Sequence, residues 1–189
     1  DKVQEGVYLL SVQWNLRFSK AYALKGSAKE QLLQEKREEQ DYQVLDELPF
    51  YFNGAGYINK QRTALFLYEE ATGKLTRVTR ETFSTGSVHL HPDGKQLLFT
   101  GQSYTTKRKH KTGAYVYDLE TGKTRELLKP RTYDLYDALW WGEKILLLGT
   151  DGKRYGLNEN VQFYTLDPAT GEVALLAPSQ DAPGPSVGS

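Results

Sequence analysis

Short runs of apolar and aromatic residues, separated by turns that contain glycine, predict a chain built from β-strands. Three stretches share one pattern: an apolar strand, an acidic residue, Thr-Gly and a second strand. They begin at Ala64, Ala114 and Val161, and their Thr-Gly pairs lie at 72–73, 121–122 and 170–171, two intervals of 49 residues. Because glycine adopts the positive φ of a tight return, each stretch is interpreted as a β-hairpin.

A second kind of hairpin alternates with the first, so the repeating unit has four strands. Residues 87–101 turn at Asp93-Gly94, and residues 137–150 turn near Gly142. Strands such as QLLFT, ILLL and ALFLY are apolar almost without alternation, which indicates burial on both faces. Parallel sheets also bury both faces, but the short connections leave no room for their crossover helices. Stacked four-stranded antiparallel sheets, the blades of a β-propeller, satisfy both conditions.

The pattern predicts an all-β partial β-propeller of about three and a half blades over residues 1–189, with one inserted, charged helical arm. The expected parts are an outer hairpin at 7–24, the helical arm at 27–43, blades at 42–79, 87–128 and 136–177, and a linker at 178–189. Ser27 and Glu30 have the spacing of a capping box at the start of the arm. Since complete propellers have about 4–8 blades, we expect the open blade faces to be covered, for example by self-association.

The C-terminal GPSVGS contains a G-x-S-x-G match at 184–188, which raises the question whether Ser186 is a nucleophile. Such a nucleophile needs a buried strand before it, and a histidine and an acidic residue after it in the chain. Prolines crowd the stretch before Ser186, no apolar strand leads into it, and neither partner follows it. We interpret the stretch as a linker and expect no catalytic residue in this chain.

Composition narrows the range of partners. The 24 basic and 24 acidic residues give no net charge, so we expect neither nucleic acid nor a membrane to bind. The basic stretch TTKRKHKTG at 105–113 is interpreted as a solvated loop, with nucleic-acid binding as the alternative.

The absence of cysteine suits a reducing compartment, and we expect a cytoplasmic protein. His89 and His91 lack a third ligand at a recognisable spacing, so we expect no metal and no cofactor.

The stretch VLDELPFYFNGAGYINKQRTALFLYEEATGKLTRVT at 44–79 resembles the propeller region of prolyl-oligopeptidase-family serine peptidases, in the acylaminoacyl-peptidase-like branch. The matching positions are Gly54, Gly56, Tyr57, Arg62 and Leu65, and a charged segment precedes them as it does in that branch. The resemblance implies a propeller upstream of an α/β-hydrolase domain in the same polypeptide. It also implies that the propeller admits only short or unfolded peptides to a Ser, Asp and His triad that this chain lacks.

One face of the propeller is the expected functional surface. Connections between the second and third strands of each blade emerge there: 53–63, 102–113 and 151–160, together with the helical arm. Long loops of this kind tend to carry function. We expect Tyr57, Arg62, Arg154 and Tyr155 to contact a peptide or the hydrolase domain, because arginine suits carboxylates. The alternative is that Arg62 and Arg154 pair with local carboxylates and only hold the loops in place.

Two functions are compatible with the sequence. The first is a non-catalytic propeller that gates and selects peptide substrates for a hydrolase domain of the same polypeptide. The second is a stand-alone protein-interaction propeller with no attached enzyme, since a fold does not by itself determine a function.

Overall fold

Three four-stranded antiparallel sheets dominate the computed structural model, which describes residues 1–38, 42 and 44–177. The first sheet contains, in spatial order, β1 (Lys2–Gln4), β2 (Val7–Asn15), β5 (Gln61–Glu69) and β6 (Lys74–Arg77). The second contains β7 (Phe83–Leu90), β8 (Gln96–Ser103), β9 (Gly113–Asp118) and β10 (Thr124–Leu128). The third contains β11 (Asp134–Trp141), β12 (Lys144–Thr150), β13 (Gln162–Leu166) and β14 (Val173–Ala177). Each strand pairs with its spatial neighbour, as in a propeller blade.

A long insertion, residues 16–60, separates β2 from β5. It contains a 3-10 turn at Ser19–Tyr22, the helix α1 (Ser27–Glu38), and a two-stranded ribbon of β3 (Tyr51–Phe52) and β4 (Gly56–Tyr57). The carbonyl of Gly26 accepts hydrogen bonds from the N–H groups of Lys29 and Glu30 (3.1 and 3.2 Å) at the start of α1. The charged helical arm is therefore present, and its described part is 27–38. Neither α1 nor another helix among the described residues has the length and apolarity that a membrane span requires.

The strand pairing corrects the predicted boundaries of the first blade. β2 pairs with β5 along its whole length, from Val7 opposite Glu69 to Asn15 opposite Gln61. The outer hairpin predicted at 7–24 and the blade predicted at 42–79 therefore belong to one sheet, and the described chain has three such sheets. A repeat pattern detects strands joined by a tight turn, but it carries no signal for pairing across a long insertion. The predicted linker at 178–189, including Ser186, lies outside the described residues.

The middle sheet is covered on both faces, which explains the unbroken apolar sequence of β8. Leu97 and Phe99 lie in a buried cluster between the first and second sheets, together with Leu65 of β5. Leu98 lies in a second cluster between the second and third sheets, together with Leu147 of β12. Successive side chains of a strand point to opposite faces, so a strand in this position buries every residue.

The first and third sheets each have one face against which no other described sheet packs. Leu10 of β2 lies on such a face of the first sheet and is 37% exposed. Leu139 of β11 lies on such a face of the third sheet, beside Leu146, and is 38% exposed. The described chain is therefore an open arc of blades rather than a closed ring.

Leu147→Ala should lower the free energy of unfolding by about 2–5 kcal/mol, because it leaves a cavity between the second and third sheets. Leu33→Ala is the matched control: it removes the same atoms from an exposed position of α1 and should change stability by no more than about 0.5 kcal/mol. Urea unfolding followed by circular dichroism, at one protein concentration, measures both values. Equal losses would show that these two sheets do not stack as described.

Candidate functional site on the loop face

The connections between the second and third strands of the three sheets form one surface, the loop face. They comprise residues 16–60, 104–112 and 151–161. The Leu48 N–H donates to the carbonyl of Thr106 (2.8 Å), and the Leu48 carbonyl accepts from the N–H of Arg108 (2.7 Å). The Lys111 ammonium donates to the carbonyl of Asp151 (2.7 Å). The loop face is therefore continuous across the three sheets.

Arg62 is the second residue of β5, the third strand of the first sheet, and lies beneath the loop face with 0% of its side chain exposed. Its guanidinium forms a bidentate ion pair with Glu47: Nη2 donates to Oε1 (2.5 Å) and Nη1 to Oε2 (3.0 Å). The other N–H groups donate to the carbonyls of Thr82 (3.1 Å), Gln61 (2.8 Å) and Tyr104 (2.8 Å). All five N–H donors of the guanidinium are used, as a buried charge requires.

The contacts of Arg62 join three separate parts of the chain. Glu47 belongs to the insertion, Thr82 precedes the second sheet, and Tyr104 begins the second loop of the loop face. The ring of Tyr104 also stacks on the guanidinium, with 3.5 Å between Cζ and the ring centroid. Burial raises the pKa of the Tyr104 hydroxyl, although the nearby charge of Arg62 opposes that rise. Arg62 therefore fixes the insertion against the first and second sheets.

This position gives Arg62 a different role from the predicted ligand contact. A fully buried side chain presents no surface to a peptide, so in this structure Arg62 is a positioning residue. Its pairing with a local carboxylate is the alternative that the sequence left open. Glu47 was not predicted, because the sequence does not show which of the neighbouring carboxylates, Asp46 or Glu47, reaches Arg62.

Large apolar side chains are concentrated on the insertion between α1 and β5. The group that we call the apolar segment consists of the exposed residues Tyr42, Val44, Leu45, Leu48, Phe50, Tyr51, Phe52 and Tyr57. Tyr57, one of the predicted contact residues, is 50% exposed, and its ring packs edge-on against that of Tyr51 with 5.6 Å between centroids. Exposed apolar side chains grouped on one loop in this way make the segment a candidate interaction site.

Backbone hydrogen bonds hold the apolar segment in place. The N–H of Ile58 donates to the carbonyl of Phe50 (2.8 Å), and the side-chain amide of Asn59 donates to the carbonyl of Val44 (2.8 Å). Lys60 has a φ of 59°, which is uncommon for a residue with a side chain. Its N–H donates to Oε2 of Glu47 (2.8 Å), the carboxylate that also binds Arg62. The conformation of the segment is thus linked to the buried ion pair.

Arg154 and Tyr155 lie on the third loop of the loop face, beside a 3-10 turn at Gly156–Asn158. A carboxylate oxygen of Glu159 accepts hydrogen bonds from both of their backbone N–H groups (2.9 and 3.3 Å). The Arg154 guanidinium lies over the Tyr155 ring at 5.0 Å from its centroid, and both side chains are exposed. They form an exposed cation–aromatic pair on the same face as Tyr57 but on a different loop.

The two histidines considered as a metal pair each have an aspartate partner. His89 Nε2 is 2.8 Å from Oδ1 of Asp137, across the second and third sheets, and His91 Nδ1 is 2.7 Å from Oδ1 of Asp93. Burial would raise the pKa of Asp137, but hydrogen bonds, the strongest from His89, leave it below the ordinary aspartate value. Within the described parts of the chain, no group of three or more His, Asp or Glu side chains could hold a metal ion.

Comparison with known proteins identifies the fold of the chain. No family model and no curated protein matches the chain. Among solved structures, the acylaminoacyl peptidase of Pyrococcus horikoshii aligns with 74% of this chain and 21% of its own, at 21% identity and a TM-score of 0.50. The chain has the fold of a partial β-propeller.

Two further solved structures align less closely. TolB from Acinetobacter baumannii aligns with 64% of this chain and 28% of its own, at 22% identity and a TM-score of 0.45. Dipeptidyl peptidase 4 of Porphyromonas gingivalis aligns with 60% of this chain and 22% of its own, at 11% identity and a TM-score of 0.43. The chain therefore spans less than a third of each of these solved chains. At these identities the likeness establishes the fold alone, and at that level it confirms the resemblance predicted from residues 44–79.

Arg62→Met and Glu47→Gln should each lower the free energy of unfolding by about 3–5 kcal/mol, because each leaves its partner buried without its ion pair. The double variant should lose clearly less than the sum of the two losses, because it leaves no unpaired charge. Urea unfolding of all three variants measures this coupling.

Asp46→Asn is the control, because it removes the more exposed Lys60–Asp46 pair next to the buried one and should cost about 1 kcal/mol or less. Strictly additive losses for Arg62→Met and Glu47→Gln, or single losses as small as that of the control, would contradict the role of the buried pair.

Proposed function

We propose that this chain is the non-catalytic propeller of a serine peptidase of the acylaminoacyl-peptidase or prolyl-oligopeptidase type. In this proposal it gates and selects peptide substrates for an α/β-hydrolase domain of the same polypeptide. The sequence resemblance at 44–79 supports the proposal, and so does the propeller fold that the chain shares with the Pyrococcus horikoshii acylaminoacyl peptidase. The protein is proposed to be cytoplasmic and to act without a cofactor, a membrane or nucleic acid.

The apolar segment is the observation that carries this proposal. It lies on the loop face, it is exposed, and Arg62, Glu47 and Asn59 hold it in one conformation. A pre-ordered aromatic surface binds a flexible peptide without a cost for ordering itself, and tyrosine is enriched among residues that dominate binding energy. A solvated loop would not require a backbone held in this way beneath exposed apolar side chains.

The predicted contact residues take different roles in this proposal. Tyr57 contacts the peptide as part of the apolar segment. Arg154 and Tyr155 contact the peptide or the hydrolase domain from the third loop, where the planar guanidinium suits a carboxylate. Arg62 contacts neither, and acts by holding the apolar segment in position. The chemistry belongs to the hydrolase domain, and Ser186 has no part in it.

Tyr57→Ser and Leu48→Ser should each weaken the binding of a fluorescein-labelled unstructured octapeptide with a central phenylalanine by about tenfold, because both remove apolar contact area at the loop face. Fluorescence anisotropy of the purified chain measures the dissociation constant. Leu75→Ser is the matched control: Leu75 is 56% exposed and Leu48 is 54% exposed, but Leu75 lies next to a hairpin turn at the opposite end of the first sheet. It should bind like the unmodified chain.

Three results would count against the proposal. Equal loss in the Leu75→Ser control would place the peptide elsewhere. Cleavage of the octapeptide by the chain, abolished by Ser186→Ala, would make the chain itself a hydrolase. Failure to bind the octapeptide, combined with a natural polypeptide of about 21.5 kDa, would favour the stand-alone interaction propeller.

A further inference from the structure

The second loop of the loop face, residues 104–112, is strongly basic and contains no acidic residue. We call it the basic loop, and its cations are Lys107, Arg108, Lys109 and Lys111. The Lys111 ammonium is bound by the carbonyl of Asp151 (2.7 Å). The other three cations are exposed, and none of the carboxylates in the described parts of the chain forms an ion pair with them. The basic loop therefore presents positive charge to solvent.

The backbone of the basic loop is anchored to the second sheet and to the start of the third. The side-chain amide of Gln102, a buried residue of β8, donates to the carbonyl of Lys109 and accepts from its N–H (3.0 Å). The N–H of Thr112 donates to the carbonyl of Tyr133 (2.9 Å). The exposed cations thus extend from a backbone that is held on both sides.

The basic loop is joined directly to the apolar segment. The two backbone hydrogen bonds of Leu48 form a parallel β-bridge in which Leu48 is paired with Lys107. Residues paired in this way lie side by side, about 4.8 Å apart, and both are exposed here. The ammonium of Lys60, which follows the apolar segment, also donates to the carbonyl of Thr105 (3.1 Å). A peptide side chain that packs on Leu48 therefore has its neighbours within reach of Lys107.

Acidic residues close to the basic loop have partners of their own. Burial raises the pKa of the Asp134 carboxyl at the start of β11, and the basic groups of the loop oppose that rise. The field of the basic loop thus acts on a carboxyl group at its edge. Three other carboxylates of the loop face already have a cation as partner: Asp46, Glu47 and Asp151.

We propose that the loop face selects acidic peptides: an apolar side chain of the peptide packs on the apolar segment, and an adjacent Asp or Glu pairs with Lys107 or Lys109. This inference rests on the proposed function, because it names the class of peptide that the same surface takes.

Single-stranded nucleic acid is the other polyanion that binds basic surfaces with aromatic neighbours. Two observations favour the peptide. The chain has no net charge, whereas affinity for nucleic acid depends mainly on neutralising many phosphates. The residue paired with Lys107 is the aliphatic Leu48, which offers no ring for a base to stack on.

Three fluorescein-labelled octapeptides test the preference. They differ only in the two residues that flank the central phenylalanine, which are glutamates, glutamines or lysines. In about 50 mM NaCl, fluorescence anisotropy should give the glutamate peptide a dissociation constant about tenfold below that of the glutamine peptide, because each exposed ion pair contributes modestly. The lysine peptide should bind most weakly. In about 500 mM NaCl the advantage of the glutamate peptide should fall to about twofold, because salt screens exposed charges.

Lys107→Gln/Lys109→Gln should bind the glutamate and glutamine peptides with nearly equal affinity, because it removes the cations that pair with the glutamates. Lys95→Gln/Lys123→Gln is the matched control. It removes the same charge from exposed positions beside the hairpin turns at the opposite end of the second sheet, and it should keep the preference. Circular dichroism checks that both variants are folded.

The outcomes separate this inference from the proposed function. If the glutamine peptide binds and the glutamate peptide binds no more tightly, the inference is wrong and the proposed function stands. If none of the three peptides binds, the proposed function fails with it. An unchanged preference in Lys107→Gln/Lys109→Gln, or an equal loss of preference in the control, would also overturn the inference. So would tighter binding of a labelled oligothymidylate of eight nucleotides than of the glutamate peptide.

Discussion

The arrangement of the loop face depends on the buried ion pair between Arg62 and Glu47. A guanidinium with no exposed surface is tolerated only when its charge and all its N–H donors have partners, and these partners come from three parts of the chain. Glu47 brings the insertion to this point, and its second oxygen also holds the backbone of Lys60. The pair therefore does more than stabilise a sheet: it determines where the aromatic residues that follow Glu47 are presented.

A second constraint acts on the sheets themselves. Strands that are apolar on both faces need a neighbour on each side, and the middle sheet has both. The first and third sheets each have only one neighbouring sheet among the described residues, which leaves one open face on each. The loop face and the open sheet faces are thus two separate surfaces. The strand ends present a polar loop face with one fixed apolar segment, whereas the sheet faces present apolar surface suited to further blades.

The sequence predicted the parts of this fold that depend on local patterns. The Thr-Gly turns and the unbroken apolar strands indicated hairpins and two-sided burial, and the charged stretch from Ser27 indicated a helix. The pairing of β2 with β5 was not predicted, because the two strands are separated by the whole insertion and no local pattern joins them. Tyr51 and Phe52 lie inside the blade predicted at 42–79, yet they pair only with Gly56 and Tyr57, in a short ribbon outside the four-stranded sheets. These residues are exposed because the insertion lies on the loop face and not between the stacked sheets.

At the candidate site, too, the local sequence could not predict contacts between distant segments. Tyr57 was predicted on the loop face and lies there, exposed. Arg62 was predicted beside it, but the sequence does not show whether an arginine at the start of a strand points to solvent or to a buried carboxylate. That distinction depends on how the insertion folds back over the first sheet, which is a tertiary contact. Arg154 and Tyr155 lie on the loop face as expected, and their part in binding remains a proposal.

Amide hydrogen exchange of the unmodified chain, followed by NMR, tests most directly whether the apolar segment is held in one conformation. The N–H of Lys60 donates to Glu47 and the N–H of Leu48 donates to Thr106, so both should exchange about as slowly as that of Leu147 in the buried cluster. Slow exchange at both positions would show a pre-ordered surface above a rigid ion pair. Exchange of the Lys60 and Leu48 amides as fast as that of an unstructured peptide would contradict it.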